Sequence, residues 1–158
     1  MPTIGQLAPD FELLNQDEQT VRLSDYRGQK VIVFVFPKAD TPGCNTQACT
    51  FRDNFPRIET SNAVVLGIST DKPSDLRRWK ESRKLPYDLL SDADHKMLEA
   101  WGAYGISPLG LIKLPFARRS VFIIDENGIL VDGQVDIKPK ESVDRALAAI
   151  DTAADTVQ

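Results

Sequence analysis

The stretch that decides the fold covers residues 31–49 and reads VIVFVFPKADTPGCNTQAC. Its first six residues are β-branched or aromatic, which predicts a strand buried on both faces at the centre of a sheet. Helix signals follow at once, because Thr41 suits an N-cap, Pro42 suits the first helical position and Gly43 lets a ligand approach the backbone closely. We therefore expect a buried strand that leads into a helix whose first turn carries Cys44.

Strand and helix patterns alternate on both sides of this segment. Strands are predicted at 11–14, 20–23, 63–68, 89–90, 120–124 and 129–135, and helices at 73–84, 95–104 and from Pro139 onward. The dipeptide Asn127-Gly128 predicts a two-residue hairpin turn. This order favours an α/β sandwich around a mixed sheet and is compatible with a thioredoxin-like fold. No repeat or linker divides the sequence, so we expect one domain over residues 1–158, with about five C-terminal residues frayed.

The composition excludes several classes of function. Lys and Arg total 19 against 23 for Asp and Glu, a net charge of -4, which makes this a poor candidate for nucleic-acid binding. Two cysteines and one histidine do not fill a four-ligand zinc site unless carboxylates or a partner chain supply further ligands, so we expect no metal. The longest apolar run, residues 31–36, is far shorter than the ~20 residues that span a bilayer. With no secretory signal pattern at the start, we predict a cytoplasmic protein that binds no membrane.

Cys44 falls at the third position of the predicted helix. The unpaired N–H groups and the positive end of the helix dipole favour an anion there, so they stabilise a thiolate. Cysteines at helix N-termini are more reactive than ordinary ones for this reason. The structural alternative is a small apolar cysteine packed beneath the sheet, since buried cysteines are common.

Cys49 makes the reactive interpretation more specific. Two residues five positions apart on a helix have Cα atoms about 8.7 Å apart, which is beyond the ~7 Å limit for a disulfide. A bond between Cys44 and Cys49 therefore requires the first turns of the helix to unwind. We interpret the two as a redox pair that alternates between a folded reduced state and an unwound oxidised state. Pro42 and Pro56 bracket this helix, and we expect so short a segment to unwind at a lower cost.

The sequence reads F-P-x-x-x-T-P-G-C over residues 36–44, followed by C-x-F-R-D over 49–53. This segment resembles the active-site segment of the Q-type peroxiredoxins, also called bacterioferritin comigratory proteins. Further matches are A-P-D-F-E-L at 8–13, L-L-S-D-x-D-H-K at 89–96 and R-S-x-F-I-I-D at 119–125. They follow the family's order over about residues 5 to 135. The resemblance implies a thioredoxin-like three-layer sandwich with a central mixed sheet flanked by helices.

The resemblance also implies an activity. It is that of a thiol peroxidase without a bound cofactor, which reduces hydrogen peroxide and organic hydroperoxides. Cys44 would be the peroxidatic nucleophile and would become a sulfenic acid. Cys49 would resolve it as an intramolecular disulfide, which thioredoxin or a similar dithiol reductant would reopen.

The same resemblance assigns roles to the residues around Cys44. The Thr41 hydroxyl and the backbone N–H groups of Gly43 and Cys44 would position the peroxide. Arg119 would stabilise both the thiolate and the leaving group, and Pro37 would shape and shield the pocket.

Several alternatives remain open from the sequence. Arg118 is a register alternative to Arg119. A thiol–disulfide oxidoreductase acting on protein disulfides is a second function, although such enzymes typically use a C-x-x-C spacing. A non-enzymatic binding module on a thioredoxin-like scaffold is a third.

A long apolar connection over residues 106–116 carries only one charge. It either folds over the core beside the active site, or forms a dimer interface or a reductant-docking patch, since exposed apolar patches mark contacts. We expect a monomer or a weak homodimer.

Overall fold

The computed structural model describes residues 2–106 and 114–155. The strands in these ranges are β1 (Glu12–Asn15), β2 (Thr20–Arg22), β3 (Lys30–Val35), β4 (Ala63–Ser69), β5 (Asp88–Ser91), β6 (Tyr104–Ile106), β7 (Leu114–Ala117), β8 (Ser120–Ile124) and β9 (Leu130–Val135). The helices are α1 (Pro42–Asp53), α2 (Phe55–Thr60), α3 (Pro73–Arg83), α4 (Lys96–Ala100) and α5 (Pro139–Asp155). A 3₁₀ turn at Leu23–Tyr26 connects β2 to β3.

Seven strands form one sheet in the order β2-β1-β5-β4-β3-β8-β9. The pairs β3–β4 and β4–β5 are parallel, and the other pairs are antiparallel. Every residue of β3 is buried, as its uninterrupted apolar run predicts for a strand covered on both faces. The predicted mixed α/β sheet is confirmed.

Successive residues of β3 contribute to different sides of the sheet. Ile32 and Phe34 belong to a hydrophobic cluster with residues of α1, α3 and α5. Val33 and Val35 belong to a second cluster, with α4 and the N-terminal strands. Three layers result from this alternation of side chains along a strand.

Helix α1 begins where the sequence predicts, with Thr41 as N-cap and Pro42 at the first position. It ends at Asp53 and is capped by Asn54, whose side-chain amide donates to the Thr50 carbonyl at 2.9 Å. Pro56 is the second residue of α2, where a missing N–H costs little. Two separate helices therefore follow β3.

Helix α5 begins at Pro139, also as predicted. Its predicted apolar stripe is confirmed, because Val143, Ala146 and Ile150 are fully buried. Leu147 packs against the same cluster and is partly buried.

The predicted two-residue turn between β8 and β9 is wrong. Asp125 N–H donates to the Ile129 carbonyl at 2.9 Å, and Gly128 N–H donates to the Asp125 carbonyl at 3.0 Å. Gly128 has a φ of 85°, so a type I turn is followed by a left-handed glycine. The Asp125 carboxylate accepts the N–H groups of Asn127 and Ile129, both at 2.9 Å, and this stabilises the longer loop.

The helix predicted over 95–104 is also too long, because α4 ends at Ala100. Gly102 takes a φ of 72° and donates its N–H to the Glu99 carbonyl at 3.1 Å. Ala103 N–H bonds to the Leu98 carbonyl at 2.8 Å. These two bonds form a Schellman motif, which terminates the helix and releases the chain into β6.

Part of the apolar connection predicted at 106–116 lies outside the described residues, which omit 107–113. Of its described part, Leu114 and Phe116 are exposed on β7, which pairs with β6. The C-terminal residues 156–158 also lie outside. Within the described ranges, none of the helices has the length and hydropathy needed to cross a membrane.

Candidate active site

Cys44 is the third residue of α1 and is fully buried. It belongs to the hydrophobic cluster between the sheet and helices α1, α3 and α5. Cys49 is on the same continuous helix and is partly exposed, and neither cysteine is in a disulfide. Cys44 is thus both a core residue and a thiol at a helix start, so the two interpretations of the sequence describe one residue.

The guanidinium group of Arg119 lies in contact with Cys44. Its Nη2 lies 3.5 Å from Cys44 Sγ. Strand β3 pairs with β8, with Val35 opposite Ser120, so the residue before β8 approaches the helix that follows β3. The guanidinium thus places a fixed positive charge against the sulfur.

Arg118 points elsewhere. Its Nε donates to Asp136 Oδ1 at 3.0 Å, and its Nη2 also pairs with the Asp136 carboxylate. The hydrogen bond that Arg118 donates to Asp136 raises the pKa of Arg118 above its usual value. Of the two arginines, the structure brings Arg119 to Cys44.

Gly43 makes room for this arginine. A Cβ atom on Gly43 would lie 2.8 Å from Arg119 Nη2 and 3.6 Å from Pro139 Cγ. The first distance is shorter than van der Waals contact, so any other residue at position 43 would displace the guanidinium. The absence of a side chain here therefore makes room for the arginine.

Thr41 occupies the N-cap position, but its side chain makes no capping bond. Its hydroxyl donates instead to the Lys38 carbonyl at 2.8 Å, which leaves the Oγ1 lone pairs directed away from that bond. Pro37 is half-buried in the same connection, two residues after β3 ends. Ala39 N–H donates to Asp71 Oδ2 at 2.9 Å, which ties this connection to the end of β4.

Gln47 is a site residue that the sequence reasoning missed. It is fully buried one turn after Cys44, and its Oε1 accepts from Arg119 Nη1 at 2.8 Å. Its Nε2 donates to Ser142 Oγ of α5 at 3.1 Å. The sequence does contain a signal for this role, because Gln47 falls on the face of α1 that carries the apolar residues Ala48 and Phe51. A polar side chain on such a face is expected to be buried and hydrogen-bonded.

Tyr87 lies close to Cys49. Its hydroxyl donates to the Ala48 carbonyl at 2.6 Å. Burial raises the pKa of Tyr87 well above its ordinary value, and the charge of Cys49 adds to this rise while Arg52 opposes it. The phenol therefore stays protonated and remains a hydrogen-bond donor to α1.

The outer face of α1 is bonded to α3. Trp79 Nε1 donates to Asn45 Oδ1 at 2.6 Å, and Asn45 Nδ2 donates to Asp40 Oδ1 at 3.2 Å. The hydrogen bonds from Asn45 and then Arg83 lower the pKa of Asp40. The residue after Cys44 is thus held by a buried indole.

Residues 4–132 match the AhpC/TSA family. The chain belongs to the AhpC/TSA family. Curated relatives in this family include peroxiredoxin Bcp of Escherichia coli, which is 44% identical over 124 residues, covering 78% of this chain and 80% of the relative. Peroxiredoxin Bcp of Bacillus subtilis is 37% identical over 147 residues, covering 93% and 94%.

Solved structures agree with this membership. The AhpC/TSA chain superposes on peroxidoxin BcpB of Mycobacterium tuberculosis with a TM-score of 0.86 at 32% identity, covering 96% of this chain and 98% of the other. Peroxiredoxin Q of Xanthomonas campestris gives a TM-score of 0.85 at 23% identity over 91% of each chain, which supports the fold alone.

These findings confirm the resemblance to Q-type peroxiredoxins, the thioredoxin-like sandwich and the classification as a peroxiredoxin enzyme. At the coarser level they support a thiol peroxidase that uses peroxide and a thiol reductant.

Proposed function

We propose that this protein reduces hydrogen peroxide and organic hydroperoxides through Cys44, with Cys49 as the resolving residue. The observation that carries the proposal is the contact of 3.5 Å between Arg119 Nη2 and Cys44 Sγ. A buried thiol with a guanidinium against its sulfur, at the start of a helix, has the electrostatic surroundings of a nucleophile.

In the first step the Cys44 thiolate attacks one oxygen of the peroxide. The S–O bond forms and the O–O bond breaks, so the sulfur is oxidised by two electrons to a sulfenic acid. The other oxygen leaves as hydroxide or alkoxide and takes a proton from water. Arg119 lies beside the sulfur and would face the negative charge that develops on the leaving oxygen, where a fixed cation lowers the barrier.

The remaining site residues would orient the peroxide. The N–H groups of Gly43 and Cys44 lie in the first turn of α1, where backbone donors have no partner within the helix. Thr41 Oγ1 donates its own proton to Lys38 and would accept one from the peroxide O–H. Pro37, between β3 and Thr41, would shield the reacting atoms from water.

In the second step the Cys49 sulfur attacks the sulfenic acid. The S–S bond forms, the S–O bond breaks and water leaves. Because both cysteines are on the continuous helix α1, this step requires its first turns to unwind. A dithiol reductant, thioredoxin or a similar protein, then reduces the disulfide by exchange.

The domain organisation, cellular location and oligomeric state of the protein belong to the same proposal. Residues 1–158 would act as one domain, in the cytoplasm, as a monomer or weak homodimer. An oxidoreductase acting on protein disulfides fits less well, because Cys44 is fully buried and a small peroxide reaches such a sulfur more readily than a protein does.

Peroxide consumption with a thioredoxin system tests the proposal. The Cys44→Ser variant is expected to show no activity. The Cys49→Ser variant is expected to complete one turnover to the sulfenic acid and then little reductant-linked cycling. Full turnover by the Cys44→Ser variant would overturn the assignment.

A further inference from the structure

A buried chain of hydrogen bonds runs from Cys44 into the first turn of α5. Arg119 links the Cys44 sulfur to Gln47 Oε1, through contacts of 3.5 and 2.8 Å. Gln47 Nε2 continues to Ser142 Oγ at 3.1 Å, and Ser142 Oγ continues to the Pro139 carbonyl at 2.6 Å. Gln47 and Ser142 are both fully buried.

The protons in this chain allow one arrangement of the Gln47 amide. The hydroxyl of Ser142 has a single proton, which it donates to the Pro139 carbonyl. Its oxygen therefore faces Gln47 as an acceptor and requires the NH₂ end of that amide. The carbonyl end is left facing Arg119, which has only donors.

The reverse orientation of the amide would be unfavourable at both ends. It would place the NH₂ group against the guanidinium, donor against donor, and the carbonyl against an oxygen whose proton is engaged elsewhere. At side chains as fully buried as Gln47 and Ser142, such unpaired polar groups are costly. Ser142 thus selects the orientation of Gln47 that holds Arg119.

We propose that Ser142 is a positioning residue for peroxide reduction, which acts through Gln47 and Arg119 on Cys44. This inference rests on the proposed function of Cys44. The hydrogen bond to Gln47 fixes Nη1 of the Arg119 guanidinium. Because the guanidinium is planar and rigid, this also fixes Nη2 against the Cys44 sulfur. The start of α5 is therefore a support of the active site, as is also shown by Pro139 Cγ lying 3.6 Å from the Cβ position of Gly43.

The test uses the first chemical step alone. In the Cys49→Ser parent, oxidation of Cys44 by hydrogen peroxide is followed in a stopped-flow instrument, with sulfenic acid identified by mass spectrometry. Ser142→Ala is expected to lower the second-order rate constant by about five- to tenfold. Ser142→Thr keeps the hydroxyl and is expected to restore most of the rate.

A double-mutant cycle separates positioning from a general structural effect. In a Gln47→Met background there is no amide to orient, so Ser142→Ala is expected to change the rate by less than about twofold. The same result is expected with Gln47→Glu, because a carboxylate accepts hydrogen bonds at both oxygens. An undiminished effect of Ser142→Ala in both backgrounds would overturn the inference.

Ser91→Ala is the matched control. Ser91 also has a nearly buried hydroxyl, which donates to the backbone carbonyl of Asp71 at 2.6 Å. It does not belong to the series of hydrogen bonds that joins Cys44 to Ser142. We expect this variant to lose similar stability in urea unfolding and to keep the parent rate. An equal loss of rate in both serine variants would overturn the inference.

A measurement on the unsubstituted chain covers the case in which Ser142→Ala does not fold. The side-chain NH₂ of Gln47, observed by ¹⁵N NMR, is expected to exchange slowly with water, and rapid exchange would count against the inference. The failures are distinguishable: a parent whose Cys44 does not react with peroxide refutes the proposed function, whereas a reactive parent unaffected by Ser142→Ala refutes only the role of Ser142.

Discussion

The hydroxyl of Tyr87 donates to the carbonyl of Ala48, the residue before Cys49, at 2.6 Å. In the proposed disulfide step, Tyr87 would anchor α1 at the point where unwinding between the two cysteines would stop. In the oxidised protein we expect amides 45–48 to lose hydrogen-exchange protection while the Arg52 amide keeps it. In Tyr87→Phe the loss is expected to extend to Arg52. Identical exchange at Arg52 in both oxidised proteins would refute the anchor.

Gly43→Ala is expected to impair chemistry more than folding. The added methyl group would lie 2.8 Å from Arg119 Nη2, and the guanidinium, at the end of a flexible side chain, would move away from the sulfur. We expect the rate of Cys44 oxidation to fall by about ten- to a hundredfold, measured in single-turnover experiments. Thr46→Ala, at an exposed position of the same helix, is the control and should keep the rate.

Pro56→Ala is expected to slow disulfide closure. Pro56 lacks the N–H that would bond to the Arg52 carbonyl across the junction of α1 and α2. Alanine supplies that bond and strengthens the end of α1, so closure after sulfenic-acid formation should slow by about two- to fivefold. Pro73→Ala, at the first position of α3, is the matched control, and an equal effect there would contradict the explanation.

Trp79 should report the redox state of the protein. Its indole Nε1 donates to Asn45 Oδ1 at 2.6 Å, and this bond is lost if the first turn of α1 unwinds. Tryptophan emission is therefore expected to change on formation of the disulfide. The change should disappear in Trp79→Phe and persist in Trp101→Phe, because Trp101 is in the core cluster on the opposite side of the sheet.

The pair Asp132–Arg145 predicts a pH dependence of stability. Arg145 Nε and Nη2 donate to the Asp132 carboxylate at 2.8 and 2.7 Å, and the hydrogen bond from Arg145 lowers the pKa of Asp132. A lowered folded-state pKa adds stability above the unfolded-state value of about 4, which is lost as the pH falls through the folded-state value.

Because both side chains of this pair are partly exposed, we expect Asp132→Asn to cost about 0.5–1 kcal/mol at pH 7. The difference from the parent, measured by urea unfolding, should shrink as the pH is lowered below about 4 and the Asp132 carboxylate takes up its proton. A difference that stayed constant over this range would show that the charge of Asp132 is not its source.

The elements with strong local patterns could be predicted from the sequence. The apolar run of β3, the proline and cap signals of α1 and the apolar stripe of α5 are each complete within a few residues. The β8–β9 turn was predicted with the wrong length because the carboxylate of Asp125 stabilises a longer loop. The helix predicted over 95–104 is too long because Gly102 adopts a positive φ, which terminates α4.

The candidate site was less predictable because its partners come from distant parts of the chain. Cys44 and Cys49 were found from their helix position and spacing. Arg119 was found only through the family resemblance, since nothing near it in the sequence distinguishes it from Arg118. Gln47 and Ser142 are 95 residues apart, and neither shows a pattern until α1 and α5 are packed together.

The pairing of β3 with β8 also bears on the biosynthesis of the protein. Arg119 follows Cys44 by 75 residues, so during translation the thiol leaves the ribosome well before this arginine. Until β8 adds to the edge of β3, Cys44 lacks its contact with the guanidinium. Under the role proposed for Arg119, the thiol of the nascent chain would react more slowly with peroxide than the same thiol does once the sheet is complete.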